Sequence, residues 1–388
     1  MTAGQKFRGL CYTIEGLNSF AAVIFFNYLY FYFRDEFGFD NKHNLLLAAF
    51  IGFIYTLASW QGGKVSARLG YARALTTGFG LMAAGLLAGS QLHTVPGAIA
   101  AACLTNMGMC LTWPTLEAQV SEGVAPASAV GIYNVVWAST NALAYFLGGT
   151  LIEKWGYRCI FYVPFAFMLL QLFLVSRLKK PSNLTAHADP DAPSPPAEPG
   201  RPSPARAQSF RHMAWLANPF AYIAINTLLA VMPGIAAKFH LSPMLAGFTC
   251  SLWCFVRLSV FVALWCWTAW HYRFRWLAGA FGLLILSFAA ILTTPNLALL
   301  LAGQVLFGAA IGLIYYSSLF YSMDASDTKS EHGGIHEAAI GLGNCTGPAV
   351  GAAALQFMPQ IAGAGALAVS VLLLGGFGGL VLIWKKSR

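Results

Sequence analysis

Carboxyl side chains inside otherwise apolar sequence are the residues best suited to chemistry in this chain. Glu15 lies about six residues into the first apolar stretch, and helical spacing places Ser19, Ala22 and Phe26 on its face, with Asn18 on the flank. A carboxyl group shielded from water favours its protonated form, whereas an approaching cation favours the carboxylate. Glu15 is therefore predicted to carry a coupling proton; the alternative is a structural carboxyl group bonded to a neighbouring helix.

A second carboxyl group lies in the segment "GIHEAAIGLGNCTGPAVG", residues 334 to 351. Positions seven apart share a helix face, so Glu337 and Asn344 are expected to point the same way. Glu337 is assigned to proton coupling, and the alternative is capping or gating near a helix start, where a carboxylate is favoured. His332 and His336 could titrate near neutral pH or be ordinary loop residues. Together with Glu337 they lack a fourth metal ligand, so no metal site is predicted.

Arg257 lies near the middle of the eighth apolar stretch, where an unpaired cation is costly. Asn344 or Glu15 is the expected neighbour, and a structural ion pair and a contact to a substrate anion both remain open. Amide and aromatic side chains in other stretches suit hydroxyl-rich or amphipathic ligands, although they could equally join helices. The full predicted substrate-contact set is Asn18, Asn106, Trp113, Asn141, Asn226, Arg257, Tyr315, Tyr316 and Asn344.

The composition indicates which elements must position these residues. Of 388 residues, 57% are hydrophobic and only 10% are charged, compared with about 25% charged in soluble domains. Segments of about 20 apolar residues can cross a bilayer, and in lipid they must be helical. Twelve such spans are predicted, at residues 9–33, 44–61, 72–92, 95–118, 129–151, 157–177, 214–237, 243–267, 274–293, 296–323, 335–357 and 361–384. The predicted fold class is an all-α membrane protein of twelve transmembrane helices in two pseudo-symmetric six-helix bundles.

The Lys and Arg residues are distributed unequally between the two sides of the membrane that these spans define. With both termini on the inner side, 17 of the 23 Lys and Arg residues lie inside, five lie outside, and Arg257 lies within a span. Such a bias predicts cytoplasmic termini, here in a plasma (bacterial inner) membrane. The net charge of +9 is thus explained by topology, and no nucleic-acid partner is expected.

A proline-rich segment divides the spans six and six. Eight of the chain's 18 prolines lie between Pro181 and Pro204, a composition typical of a stiffened, unfolded spacer. The predicted units are an N-terminal bundle at 1–177, a cytoplasmic linker at 178–213 and a C-terminal bundle at 214–388. The eight cysteines are scattered without a CxxC pair, so neither a disulfide nor a metal cluster is expected.

The two halves also share a pattern. A shift of 203 positions superimposes Gly334-Ile335 on Gly131-Ile132, Asn344 on Asn141, and Gly351 on Gly148. These residues belong to the fifth span of each half, and Asn134 lies seven residues before Asn141 on the same predicted face. A duplicated six-helix unit follows, and transporters built from such repeats bind substrate where the halves meet.

Taken together, these features resemble the major facilitator superfamily. The loop "GGKVSARLGYAR", residues 62 to 73, matches a family signature at Gly63, Arg68 and Gly70, and Arg73 adds charge, but Ala67 replaces the usual Asp. The resemblance implies that spans one, four, seven and ten line a central cavity and that spans two, five, eight and eleven form the interface.

The resemblance also suggests a set of gating residues. Glu117, with Glu122, would pair with Arg68 and Arg73, and the alternative is proton handling. From the residues themselves, the Gly347-Pro348 step can bend span eleven, although small residues also let helices pack closely. The Gly-Gly step at residues 148 and 149 keeps part of a span-five motif. Span five is expected to change contacts against span eleven. The gating prediction therefore comprises Gly63, Arg68, Gly70, Arg73, Glu117, Gly347 and Pro348.

The predicted function is secondary active transport of a small molecule by alternating access, coupled to protons. An ATP-binding GxxxxGK[ST] loop is absent from the sequence. The sequence also lacks the combination of a nucleophile and a base that would indicate an enzyme. We expect a monomer in the lipid bilayer with a small-molecule substrate and no cofactor. The alternatives are a transporter-like membrane sensor or assembly factor without transport activity, which the change at Ala67 would suit, and a lipid flippase.

Overall fold

A computed structural model describes residues 2–121, 126–180, 203–324 and 329–387, and these residues form twelve α-helices. The helices are α1 (Ala3–Phe37), α2 (Asn41–Leu69), α3 (Tyr71–Gln91), α4 (Val95–Ser121), α5 (Pro126–Trp155), α6 (Cys159–Arg177), α7 (Pro204–Lys238), α8 (Pro243–Cys266), α9 (Phe274–Thr293), α10 (Leu297–Asp324), α11 (Lys329–Phe357) and α12 (Ala364–Lys386). Within the described residues, eleven helices are long and apolar enough to cross a membrane. The predicted all-α membrane fold is confirmed.

Capping residues set several helix ends. Thr2 and Gln5 form a reciprocal capping box at the start of α1, and Gly38 ends that helix with a positive φ of 70°. Asp40 then caps α2 by accepting a hydrogen bond from the backbone N–H of His43 at 2.8 Å. Partial burial opposes ionisation of Asp40, but the hydrogen bonds from His43 prevail and lower its pKa. The connection between α1 and α2 is therefore short and well defined.

Several helices extend beyond the apolar spans. Pro204 begins α7 ten residues before the predicted span, so residues 204–213 of the predicted linker are helical. The span prediction follows apolar continuity, whereas a helix continues through polar residues wherever its backbone bonds are satisfied. Residues 181–202, which hold most of the predicted linker, lie outside the described residues, and the linker assignment remains a prediction.

The contacts between helices repeat from one half to the other. In the first half α1 packs against α4, α5 and α6, α2 against α4, and α3 against α4 and α6. Adding six to each helix number gives contacts that are also present, from α7 with α10, α11 and α12 to α9 with α10 and α12. This correspondence is what two related six-helix bundles produce.

Two antiparallel seams join the bundles. The first is α2 against α11, in which Lys42 Nζ donates to Gln356 Oε1 at 3.2 Å. The second is α5 against α8, in which the rings of Phe146 and Phe248 stack with centroids 4.3 Å apart. The expected contact between spans five and eleven is wrong, because in the described residues each of these helices packs against a helix of the other half that runs in the opposite direction.

Within each half, successive helices run in opposite directions, as short connections require, and the antiparallel seam of α2 with α11 relates the direction of one half to that of the other. The ends of α1 and α12 that hold the chain termini therefore share one face of the bundle, here called the termini side. The connections between α2 and α3 and between α8 and α9 also lie on this side.

Gly70 forms the turn between α2 and α3, and its substitution is expected to destabilise the protein. Its φ of 78° and ψ of 156° lie in a region that only glycine occupies readily. Gly70→Ala should therefore lower stability by about 1–3 kcal/mol, measured as a lower apparent melting temperature. Gly80→Ala in α3 is the matched control, since a methyl group there meets no atom within 4 Å. Equal melting of the two variants would contradict this assignment.

Candidate functional site: a central cavity between the two halves

A cavity of about 200 Å³ lies between the bundles and is lined from both of them. Its walls come from α1, α2, α4 and α5 in the first half and from α7, α8, α10 and α11 in the second. The remaining four helices contribute no lining residue among those described. The cavity thus lies where the resemblance placed it, and all four seam helices contribute to its wall.

Glu15 is buried in the cavity wall with 1% of its surface exposed. Ser19 Oγ donates to Glu15 Oε1 at 2.9 Å, and the Tyr133 hydroxyl of α5 lies close to the same carboxyl group. Ser19, Ala22 and Phe26 line the cavity with it, as the helical spacing predicts. The first helix therefore presents one carboxyl group within a mainly apolar face.

Glu337 provides the second carboxyl group, from the other half. Tyr55 Oη of α2 donates to Glu337 Oε2 at 2.5 Å, so this hydrogen bond crosses the seam between α2 and α11. The capping alternative for Glu337 is wrong, because α11 begins at Lys329, two turns earlier, and the effect of a helix end fades within its first turn.

The duplicated asparagines also meet the cavity. Asn141 and Asn344, which the 203-residue shift relates, both line it from opposite halves. Asn226 Nδ2 donates to Asn344 Oδ1 at 2.5 Å, and Asn106 Nδ2 donates to the backbone oxygen of Ile51 at 3.0 Å. Asn106, Asn226 and Asn344 thus bond to neighbouring helices while lining the cavity, and their contact with a substrate remains a prediction.

Arg257 lies in the same wall, held between two indole rings. Its Cζ atom lies 4.4 Å from the centroid of Trp137 and 4.9 Å from that of Trp253. No acidic side chain among the described residues lies within 4.0 Å of the guanidinium group, and its Nε atom is buried without a hydrogen-bond partner there. Among the described residues Arg257 thus has no structural ion pair, and neither Glu15 nor Asn344, the expected neighbours, bonds to it.

Some predicted contact residues point away from the cavity. Asn18 is fully buried and donates to Thr112 Oγ1 of α4 at 3.2 Å. Tyr316 packs inside the second bundle against Trp270, with ring centroids 5.8 Å apart. For Asn18 and Tyr316 the structure supports the alternative role, hydrogen bonding or packing inside a bundle. Asn134, expected on the face of Asn141, is not part of the lining, and it accepts a hydrogen bond from Trp137 Nε1 of its own helix at 2.9 Å.

Much of the cavity wall consists of aromatic residues that were not predicted from the sequence. These are Tyr30, Tyr55, Tyr133, Trp137, Tyr222 and Trp253. Aromatic side chains are frequent in apolar spans, so their type alone does not separate lining from packing. Trp253 carried one usable signal, since it lies four residues before Arg257 and therefore one helical turn away on the same face.

The predicted gating residues lie at several places. Arg68 in the last turn of α2 and Arg73 in the first turn of α3 are exposed on the termini side. Gly63 and Glu117 are partly buried in α2 and α4, and Gly347-Pro348 lies inside α11. A methyl group on Gly347 would come within 2.5 Å of the backbone oxygen of Ile223 in α7, so this glycine allows close helix packing. Glu122, His332 and His336 fall outside the described side chains, and the gating roles remain predictions.

The hydrogen bond from Tyr55 to Glu337 is expected to stabilise the seam. Tyr55→Phe leaves a buried carboxyl oxygen without its donor, a change that typically reduces stability by about 1–3 kcal/mol. The apparent melting temperature of the purified protein should fall. Tyr162→Phe provides the control, because Tyr162 is 44% exposed and its hydroxyl has no hydrogen bond among the described contacts. A Tyr55→Phe protein that melts with the wild type would rule out a stabilising bond.

A cavity enclosed by two related six-helix halves is the architecture of a membrane transport protein. The family model of the Major Facilitator Superfamily matches residues 9–332. The chain belongs to this superfamily, and the resemblance seen in the sequence is confirmed. Membership indicates a transporter rather than an enzyme.

Two solved structures of membrane transporters have the same fold. The human organic anion transporter MFSD10 (TETRAN) superimposes with a TM-score of 0.70 at 14% identity, covering 100% of both chains. The nucleoside transporter NupG superimposes with a TM-score of 0.72 at 12% identity, covering 98% of this chain and 99% of its own. At such identities the likeness establishes the fold alone. No curated protein sequence matches the chain.

Proposed function

We propose that this chain is a secondary active transporter that moves a small molecule across the membrane by alternating access, with protons as the coupling ion. The observation that carries the proposal is the central cavity, which both bundles wall and which contains one buried carboxyl group from each half, Glu15 and Glu337.

Alternating access requires two halves that move against each other around a fixed site. The seams fit this requirement because they are built from whole helices, α2 with α11 and α5 with α8, and because cavity residues lie between them. Opening one end of both seams while closing the other exposes the same residues to each side of the membrane in turn.

Proton coupling requires carboxyl groups that can be neutral in one state and charged in another. The hydrogen-bond partners of Glu15 and Glu337 are the hydroxyl groups of Ser19 and Tyr55, and a hydroxyl group can donate to a carboxylate or accept from a protonated carboxyl. Among the described residues, no Lys, Arg or His side chain lies within 4.0 Å of either group to fix its charge. Both carboxyl groups can therefore exchange a proton without breaking an ion pair.

The structural neighbours leave the substrate open. One is described as an organic anion transporter and the other as a nucleoside transporter, so this fold accommodates chemically different ligands. Only the residues of the cavity can distinguish between substrate classes here.

The function is tested by flux in proteoliposomes that contain the purified full chain. A thermal-shift screen of sugars, nucleosides, amino acids, organic acids and cationic drugs identifies a ligand, which then serves as the labelled tracer. We expect an imposed pH gradient to drive accumulation above the external concentration, and an uncoupler to abolish it. Accumulation that is unaffected by collapsing the gradient would remove proton coupling. Absence of flux for the whole panel, together with a stoichiometric protein partner, would instead favour the sensor or assembly factor.

The sidedness proposed from the charge distribution is cytoplasmic termini in the plasma membrane, which in a bacterium is the inner membrane. Arg68, Arg73 and Arg275 are exposed on the termini side, as an inner-facing surface requires. With the exposed Cys266 replaced by Ser, a membrane-impermeant thiol reagent should label a cysteine placed at Ala72 only after the cells are opened. Labelling of intact cells would reverse the proposed orientation.

The protein is also proposed to be a monomer, and the mass of the detergent-solubilised protein tests this oligomeric state.

A further inference from the structure

We propose that the cavity binds a small organic anion, whose carboxylate or other anionic group contacts Arg257. This inference rests on the proposed function in treating the cavity as the substrate site. It goes further by assigning the charge and shape of the ligand.

The first argument is the missing counter-charge. Arg257 is 5% exposed and lines the cavity, yet within the described part of the chain no carboxylate lies within ion-pair distance of it. A buried charge without a partner is strongly destabilising, whereas an oppositely charged partner with good hydrogen-bond geometry offsets much of the loss of water. An anionic ligand would provide that partner when it occupies the cavity.

The second argument is the set of hydrogen-bond donors left in the wall. The two indole rings contact the guanidinium group through their π faces, and a π face does not replace an oxygen acceptor for five N–H donors. Trp253 Nε1, one helical turn from Arg257 on α8, is likewise buried with no acceptor in the described structure. Two neighbouring side chains thus offer donors, one of them positively charged, which is the recognition chemistry of a carboxylate, phosphonate or sulfonate.

The carboxyl groups of the cavity do not fulfil the role of counter-ion in this conformation. Glu15 accepts from Ser19, and Glu337 accepts from Tyr55 on the opposite seam. Proton coupling requires both carboxyl groups to be protonated for part of the cycle. While they are protonated they carry no charge, and the charge of the cavity is the positive charge of Arg257. A cationic substrate would then meet repulsion, and an anionic substrate would meet attraction.

The volume and the aromatic wall of the site favour a small, flat apolar body attached to the anion. The cavity volume is about 200 Å³, below the usual range of about 300–1,000 Å³ for drug-sized ligands. Trp137, Tyr222 and Tyr315 provide aromatic surfaces beside Arg257. A small aromatic acid fits this combination of charge, volume and wall.

The test measures equilibrium binding of a matched series of ligands to the purified full chain in lipid nanodiscs. Quenching of tryptophan fluorescence reports the binding. The probes are benzoate, phenylphosphonate and benzenesulfonate as anions, benzamide as the neutral analogue and benzylamine as the cation. We expect at least one anion to bind about tenfold or more tightly than benzamide, and benzylamine to bind most weakly. Arg257→Gln should weaken anion binding by about 30-fold or more, as removal of one partner of a buried charge pair typically does, and should weaken benzamide binding much less, because benzamide carries no charge.

Two further variants distinguish loss of the anion contact from a defect in folding. Arg257→Lys keeps the charge without the planar donor set, and it should weaken anion binding less than Arg257→Gln does. Arg275→Gln removes an exposed Arg from the termini side and should leave every affinity unchanged. The proposal is overturned if benzamide or benzylamine binds as tightly as every anion, if no anion binds, or if the Lys and Gln variants both bind anions like the wild type.

Binding and flux separate this proposal from the proposed function. Anion binding without flux of any tracer would support the anion site and remove transport. Flux of neutral or cationic tracers without anion binding would support transport and overturn the anion site.

Discussion

Glu15→Gln is expected to abolish proton-driven accumulation while leaving exchange of substrate across the membrane intact. Glutamine keeps nearly the same shape and can still accept the hydrogen bond that Ser19 Oγ gives to Glu15 Oε1 at 2.9 Å, but it cannot bind or release a proton. The cavity therefore keeps its architecture, and only the coupling is lost.

The size of this effect follows from the gradient itself. One pH unit corresponds to 1.36 kcal/mol per proton, so symport of one proton supports about tenfold accumulation for each unit. In proteoliposomes under a gradient of one unit, the tracer ratio should fall from about ten toward one in Glu15→Gln. Tracer exchange with substrate on both sides and no gradient should proceed near the wild-type rate.

Glu36→Gln is the matched control for this experiment. Glu36 lies in the same helix but is exposed near its far end, so its loss should leave accumulation unchanged. Glu337→Gln, measured in parallel, shows whether the carboxyl group of the second half shares the role. Accumulation by Glu15→Gln at the wild-type level would remove Glu15 from proton coupling.

Gly52→Ala is expected to slow transport by holding the seam between α2 and α11 apart. A methyl group on Gly52 would lie 2.6 Å from the backbone nitrogen of Cys345 and 2.7 Å from the backbone oxygen of Asn344. Backbone atoms cannot rotate away as a flexible side chain can, so the helices must separate. Overpacking of this kind typically costs about 1–3 kcal/mol.

The same strain alters the transport cycle, because Gly52 also lines the cavity. A bias of 1.4 kcal/mol against the closed seam changes the conformational equilibrium by about tenfold. We therefore expect the initial rate of transport to fall by about tenfold, with a lower apparent melting temperature. Gly282→Ala in α9, where a methyl group meets no atom within 4 Å, should leave both values unchanged. A Gly52→Ala protein with normal rate and melting would show that the seam does not need this close approach.

The sequence predicts the helices well because hydropathy and the bilayer determine them. Each of the twelve predicted spans corresponds to one observed helix. Which helices pack together was harder to predict, since α5 and α8 carry no sequence mark that names them as partners. Their contact depends on the arrangement of both bundles, which a pattern along one helix does not contain.

The site residues divide in the same way, into positions that helical spacing predicts and contacts that it does not. Helical spacing correctly placed Glu15 with Ser19, and the duplicated Asn141 and Asn344, at the cavity. Asn18 is three residues from Glu15, which rotates it by about 60° from that face, enough to turn it toward Thr112 of α4. Tyr315 and Tyr316 differ by about 100°, and only the first lines the cavity.

The environment of Arg257 could not be read from the sequence. The cost of an isolated cation suggested an ionic partner, but the structure surrounds the guanidinium group with Trp137 and Trp253. Trp137 belongs to the other half of the molecule, 120 positions earlier in the chain. Contacts across the two halves require the folded arrangement, and this one leaves the contact to a substrate anion as the proposed role of Arg257.

Alternating movement of the two halves is tested most directly by distances measured with pairs of spin labels. One pair joins Glu36 to Asn296 on the side opposite the termini, and the other joins Ala72 to Arg275 on the termini side; all four positions are exposed. Cys266, which is exposed, is first replaced by Ser.

Distances are then recorded at two pH values, with and without the ligand identified by binding. The expected result is that one distance lengthens while the other shortens, and that Glu15→Gln removes the response to pH. Two distances that stay fixed under all conditions, or that change in the same direction, would contradict alternating access.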